Sequence, residues 1–116
     1  MAPNTRDALP VETIRDLLAI ARQLYRLAMK DARIQAAESY RLAGEDLREA
    51  LRLARSKPGS GAHRMAWMLA ERGTAELSRV VRREPTLKRV VLDAKHELGF
   101  DFVIRDEREQ RKRYRH

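Results

Sequence analysis

The sequence predicts an all-α protein, a single-domain antiparallel bundle of about four helices, and three observations carry that prediction. Apolar residues recur at three- and four-residue intervals over long stretches, the period of a helix with one buried stripe. Hydrophobic residues make up 43% of the chain but aromatic ones only 5%, so Ala and Leu must build the core, which suits closely packed helices better than a sheet. At 116 residues the chain can hold one core and not two.

Residues 1–9 lack periodicity and are expected to be disordered, the helical domain spans 10–104, and residues 105–116 form a basic tail. Pro10 suits a helix start, and Glu12 and Asp16 favour the positive end of the dipole. From there Ile14, Leu17, Leu18, Ala21, Leu24, Tyr25, Ala28 and Ala32 form one stripe. The phase runs on through Ala36, Tyr40, Ala43, Leu47, Ala50, Leu51 and Ala54, yet an unbroken helix of that extent would reach roughly 70 Å, too long for a domain of this size to cover. A break is therefore required. Gly44, followed by Glu45 and Asp46, is favoured over Lys30-Asp31, which offers a capping residue but no Gly or Pro.

The second helix stops at Ser56-Lys57-Pro58-Gly59-Ser60-Gly61, a loop by composition. A third starts near Ala62, capped by Ser60 or Gly61, with Ala62, Met65, Ala66, Leu69, Gly73, Leu77, Val80 and Val81 on its buried face. Gly73 either admits a neighbouring helix closely or divides this one. Pro85 opens a fourth helix with Leu87, Val90, Val91, Ala94 and Leu98 inside, ended by Gly99-Phe100. Asp101 to Arg105 alternates weakly, like a short strand without a partner.

Tyr-Arg-Leu-Ala occurs at 25–28 and again at 40–43, each copy followed by an aspartate, Asp31 and Asp46. Around the second copy, Ala36, Ala37 and Tyr40, then Gly44, then Ala50 fall in the order small, small, aromatic, turn glycine, small. Residues 36–58 in this respect resemble a tetratricopeptide repeat, a helix pair of about 34 residues. Gly44 to Ala50 is one residue longer than that family's spacing, and Pro58 comes a helical turn early. The resemblance implies tetratricopeptide-like hairpin packing in the first half of the chain and a role as a peptide-binding scaffold.

The sequence offers little for catalysis. It contains no Cys, which removes thiol chemistry, disulfides and Cys-based zinc sites together. No phosphate-binding glycine motif or nucleophile elbow is present. Asp93 and His96 share a helix face, but a zinc site needs further ligands and the sequence suggests none. No enzyme activity, cofactor or metal is expected. No apolar run approaches the roughly 20 residues of a membrane span, and the N-terminus has no secretory core, so a cytoplasmic protein is expected.

Binding is the remaining class. The net charge of +8 divides evenly, as +3, +3 and +2 over residues 1–57, 58–100 and 101–116. A dedicated nucleic-acid binder more often concentrates its charge. Within the first helix, however, Arg15, Arg22, Arg26, Lys30 and Arg33 fall within about 80° of one another, opposite the apolar stripe. Acidic residues flank only the start of this row, so Arg22, Arg26, Lys30 and Arg33 stand out as candidate anion- or partner-binding residues, together with Arg111, Lys112, Arg113 and Arg115 of the tail. Arg41, Arg48 and Arg52 share their face with Glu45, the alternating pattern of a solvated helix. Trp67 and Met68 lie off the expected apolar stripe: either their turn is buried all round, which the sequence favours for Trp67, or the two form a protein interface. The expected function is a non-enzymatic protein–protein interaction module, self-association included; the alternative is nucleic-acid binding through the basic row and tail.

Overall fold

In a computed structural model, residues 8–81 and 85–100 are described. They form α1 (Val11–Lys30), α2 (Ile34–Leu53), α3 (Gly61–Val80) and α4 (Pro85–Leu98), an all-α bundle as predicted. Among the described residues there is no strand, and no helix is long and apolar enough to cross a membrane. The expected strand-like stretch 101–105 and the tail lie outside them.

α1 begins directly after Pro10, whose carbonyl accepts the Ile14 N–H at 3.1 Å. Of its expected stripe Ile14, Leu17, Leu18, Ala21, Leu24 and Ala28 are buried, with Ile20 added, whereas Tyr25 is half-buried and Ala32 is exposed beyond the helix end. Leu9, assigned by periodicity to a disordered N-terminal segment, is instead only 3% exposed and belongs to the core. The rest of that segment, residues 1–7, is outside the described range.

The first break falls at Asp31-Ala32-Arg33, not at Gly44. The Arg33 N–H reaches the Ala28 carbonyl at 2.8 Å and the Ala32 N–H the Met29 carbonyl at 3.2 Å, the two reversed bonds that close a Schellman helix end. Ala32 takes the left-handed position with φ 57°, a place normally given to Gly. α4 ends by the same pattern, Phe100 N–H to Lys95 carbonyl and Gly99 N–H to His96 carbonyl, both at 3.1 Å, with Gly99 at φ 68°. The residues expected to hinge at Gly44 form one helix, and the stretch carrying the tetratricopeptide resemblance is α2 with the loop after it.

α2 is the central helix, packed along both α1 and α3, while α4 makes fewer contacts with α3 and α1. The antiparallel α2–α3 contact is close because Gly73 has no side chain. A Cβ there would sit 3.0 Å from Leu47 Cγ, 3.1 Å from the Ala43 carbonyl oxygen and 3.1 Å from Asp46 Cβ. α3 continues through Gly73 undivided. Polar contacts fasten both sides of the crossing: Arg72 donates twice to the Asp46 carboxylate, at 2.8 Å each, and the Tyr40 hydroxyl donates to the Val80 carbonyl at 3.0 Å.

The buried face of α3 is rotated from the expected one. His63, Trp67, Ala70, Thr74 and Ser78 join Ala66, Leu69, Gly73 and Leu77 inside, whereas Ala62 and Met65 are exposed. The helix is covered on a second side by the end of α4, where Phe100 meets Trp67 edge-on with ring centroids 6.3 Å apart. The buried hydroxyls are satisfied within the helix, Thr74 donating to the Ala70 carbonyl at 2.6 Å and Ser78 to that of Ala75 at 2.7 Å. On α4, Val91, Ala94 and Leu98 are buried as expected, but Val90 is exposed, since this helix packs on one side only.

Candidate functional site

Three of the four candidate cations of the first helix, Arg22, Arg26 and Lys30, are exposed on α1. Arg33 is not part of the row: it stands at the N-cap of α2, beyond the break that ends α1. Its Nε is buried and has no hydrogen-bond partner. Arg111, Lys112, Arg113 and Arg115 lie outside the described residues.

Folding α2 back on α1 changes what Arg22 and Arg26 face. Both line a cleft of about 310 Å³ between the two helices, together with Leu18, Ala21 and Tyr25 of α1 and Tyr40, Arg41, Gly44, Glu45 and Arg48 of α2. The floor is apolar and contains two tyrosines; the rim carries four guanidinium groups and one carboxylate. Gly44 lies on the α2 side of the floor, where a Cβ would make ordinary contacts with Leu18 Cδ1 at 3.8 Å and Ala21 Cβ at 3.9 Å.

The rim cations are not equivalent. Arg41 is held between Glu38 and Glu45, its Nη1 lying 2.6 Å from Glu45 Oε1. These bonds, chiefly the one to Glu38, push the Arg41 guanidinium above its ordinary range and hold the Glu38 carboxyl below its own. Arg22, Arg26 and Arg48 make no ion pair among the described residues. Arg48 lies close enough to Glu49 to help keep that carboxyl low, although Arg52 is the larger cause. The cleft thus presents, from two helices around one apolar floor, three guanidinium groups that make no ion pair among the described residues.

A wider trough continues from it, sharing Glu45 and Arg48 and adding Arg15, Glu49, Arg52 and Arg55. Here two of the four arginines are paired, Arg15 with Glu12 and Arg52 with Glu49. The cleft carries four arginines against one carboxylate, the trough four against two.

Comparison with family models, with curated proteins and with solved structures gives no match. The chain's own geometry must carry any reading of its role.

Trp67 is removed from the candidate interface, being 5% exposed and packed against Phe100. Met68, its neighbour, is 52% exposed. Asp93 faces Arg89, with Oδ1 3.4 Å from Nε, and among the described residues no three His, Asp or Glu side chains converge as a metal site needs. Arg41, Arg48 and the two tyrosines were missed as site residues by the sequence reading. The available signal was that Leu18 and Tyr25 lie at the margin of the α1 stripe beside Arg22, so a partner helix on that margin brings its own residues to the row.

Proposed function

We propose that this chain is a non-enzymatic protein interaction module whose working surface is the α1–α2 cleft, and that it docks a short acidic segment of a partner protein. The observation that supports this most is the set of three unpaired guanidinium groups, Arg22, Arg26 and Arg48, around the apolar floor. Apolar contact gives such a segment its affinity, while charge-assisted hydrogen bonds, each of order 1.5–3 kcal/mol, set its specificity. A cytoplasmic location belongs to the same proposal and rests on composition alone.

Nucleic-acid binding is the second reading, because the same groups suit phosphates. Against it stands the trough beside the cleft, where Glu45 and Glu49 interrupt the path that a continuous polyanion would follow. Fluorescence anisotropy with a labelled acidic peptide bearing one central Phe, and with single-stranded DNA, separates the two. Peptide binding that falls about tenfold or more in Arg22→Glu and Arg48→Glu supports docking of a protein segment. Tighter binding of the DNA, with log K falling against log salt at a slope near −2 for about three contacts, overturns it. Self-association through the same surface would appear as a concentration-dependent mass that the two charge reversals abolish.

A further inference from the structure

The cleft is specific enough to ask which acidic group it takes, an inference that rests on the docking role proposed above. Its volume of about 310 Å³ is at the lower end for ligand pockets, room for one large side chain and not for a packed helix or several residues. Its charge exceeds what one carboxylate offers. A carboxylate has two coplanar oxygens and engages one guanidinium fork well, leaving two of the three unpaired arginines without a counter-charge.

A phosphate monoester meets these conditions. It carries about −1.5 to −2 charges near neutral pH and three strong acceptor oxygens. Arg22 and Arg26 are one helical turn apart on α1, and Arg48 comes from α2 across the cleft, so donors approach from two directions, which the three oxygens of a phosphate meet more fully than the two coplanar oxygens of a carboxylate. The floor gives the second half of the specificity. Tyr25 is half-buried there beside Leu18 and Ala21, and a flat ring placed on it gains contact area and stacking of about 0.5–1.5 kcal/mol. A short phosphorylated side chain such as phosphoserine leaves that floor uncovered.

We infer that the α1–α2 cleft recognises a phosphate monoester carried on an aromatic ring, as in a phosphotyrosine side chain of a partner protein, with Arg22, Arg26 and Arg48 holding the phosphate and Tyr25 the ring.

The test is isothermal titration of the full chain with one peptide in four forms, its central residue phosphotyrosine, tyrosine, glutamate or phosphoserine, and with inorganic phosphate. The phosphotyrosine form is expected to bind at least tenfold tighter than every other probe. Arg48→Gln should cost the phosphotyrosine peptide tenfold or more, and Tyr25→Ala should weaken it while leaving inorganic phosphate unchanged, both with wild-type circular dichroism. Arg55→Gln, in the adjoining trough, should change nothing. Equal binding of the phosphotyrosine and glutamate forms overturns the inference but leaves the docking of acidic segments standing. Phosphoserine or inorganic phosphate binding as tightly as phosphotyrosine refutes the aromatic requirement, and binding of none of the probes refutes both proposals.

Discussion

The two helical glycines that face neighbouring helices should respond oppositely to the same substitution. At Gly73 a new methyl meets Leu47 Cγ at 3.0 Å, the Ala43 carbonyl oxygen at 3.1 Å and Asp46 Cβ at 3.1 Å. None of these can step aside: Leu47 and Ala43 are fully buried, and Asp46 is held by two bonds from Arg72. Relief requires α2 and α3 to move apart, an overpacking cost of about 1–3 kcal/mol. Removing Gly from a helix interior returns about 1 kcal/mol, so Gly73→Ala should lose about 1 kcal/mol net. At Gly44 the nearest atoms are 3.8 and 3.9 Å away, ordinary contact distances, and Gly44→Ala should gain up to about 1 kcal/mol. With an unfolding entropy of about 2.1 cal/mol/K per residue over about 100 residues, each kcal/mol moves Tm by about 5 °C. Thermal and urea unfolding followed by circular dichroism at 222 nm should therefore place the two variants on opposite sides of the wild type, about 10 °C apart. Shifts of the same sign, or a Gly73→Ala protein at least as stable as the wild type, would refute the close-approach reading of the α2–α3 contact.

The matched helix ends supply a second pair. Ala32→Gly should stabilise by about 0.5–1 kcal/mol, the left-handed strain of Ala less the extra chain entropy of Gly, and Gly99→Ala should lose a similar amount, both read by urea midpoints. His63 is 1% exposed and neither ring nitrogen has a hydrogen-bond partner, so His63→Leu should leave stability unchanged or raise it by about 1 kcal/mol; a loss larger than that would reveal a partner for the imidazole. The carboxyls of Glu38, Glu49 and Glu76 are held low, chiefly by bonds from Arg41, Arg52 and Arg79 respectively. Because the unfolded chain then binds more protons, the stabilisation from these pairs is complete above the ordinary carboxylate range and is lost as pH falls through it. Urea midpoints should be level from pH 7 to about 5 and fall below about 4.5, less steeply at high salt, with part of the slope removed in Glu76→Gln.

The fold was legible where a boundary is marked by a residue suited to it. Pro10, the Pro58–Gly61 loop, Pro85 and Gly99 each stand where the chain turns or a helix begins. The break between α1 and α2 was not, because the left-handed position that ends α1 is filled by Ala32, and no local propensity separates that alanine from its helical neighbours. Gly44 misdirected the reading because its role is lateral, in the wall between α1 and α2, and not in the path of the chain. The face of α3 was hidden for a related reason: Thr74 and Ser78 are buried with their hydroxyls bonded to their own helix, so a hydrophobic pattern passes over them. Half of the candidate site was visible as the row on α1. The other half required knowing which side of α1 is covered by α2, and Arg48 became significant only once Arg41 and Arg52 were seen to hold the nearby carboxylates.

The edge-on contact of Trp67 with Phe100 gives the protein a built-in optical gauge. Trp67 is the sole tryptophan of the chain, and its indole is sealed by a residue that follows α4, the helix with the sparser contacts. Detachment of that helix would wet the indole and move its emission to longer wavelength while α1, α2 and α3 remained helical. Emission and ellipticity recorded on one sample would thus report two different events, and a gap between their transitions would measure how far α4 opens independently of the other three helices.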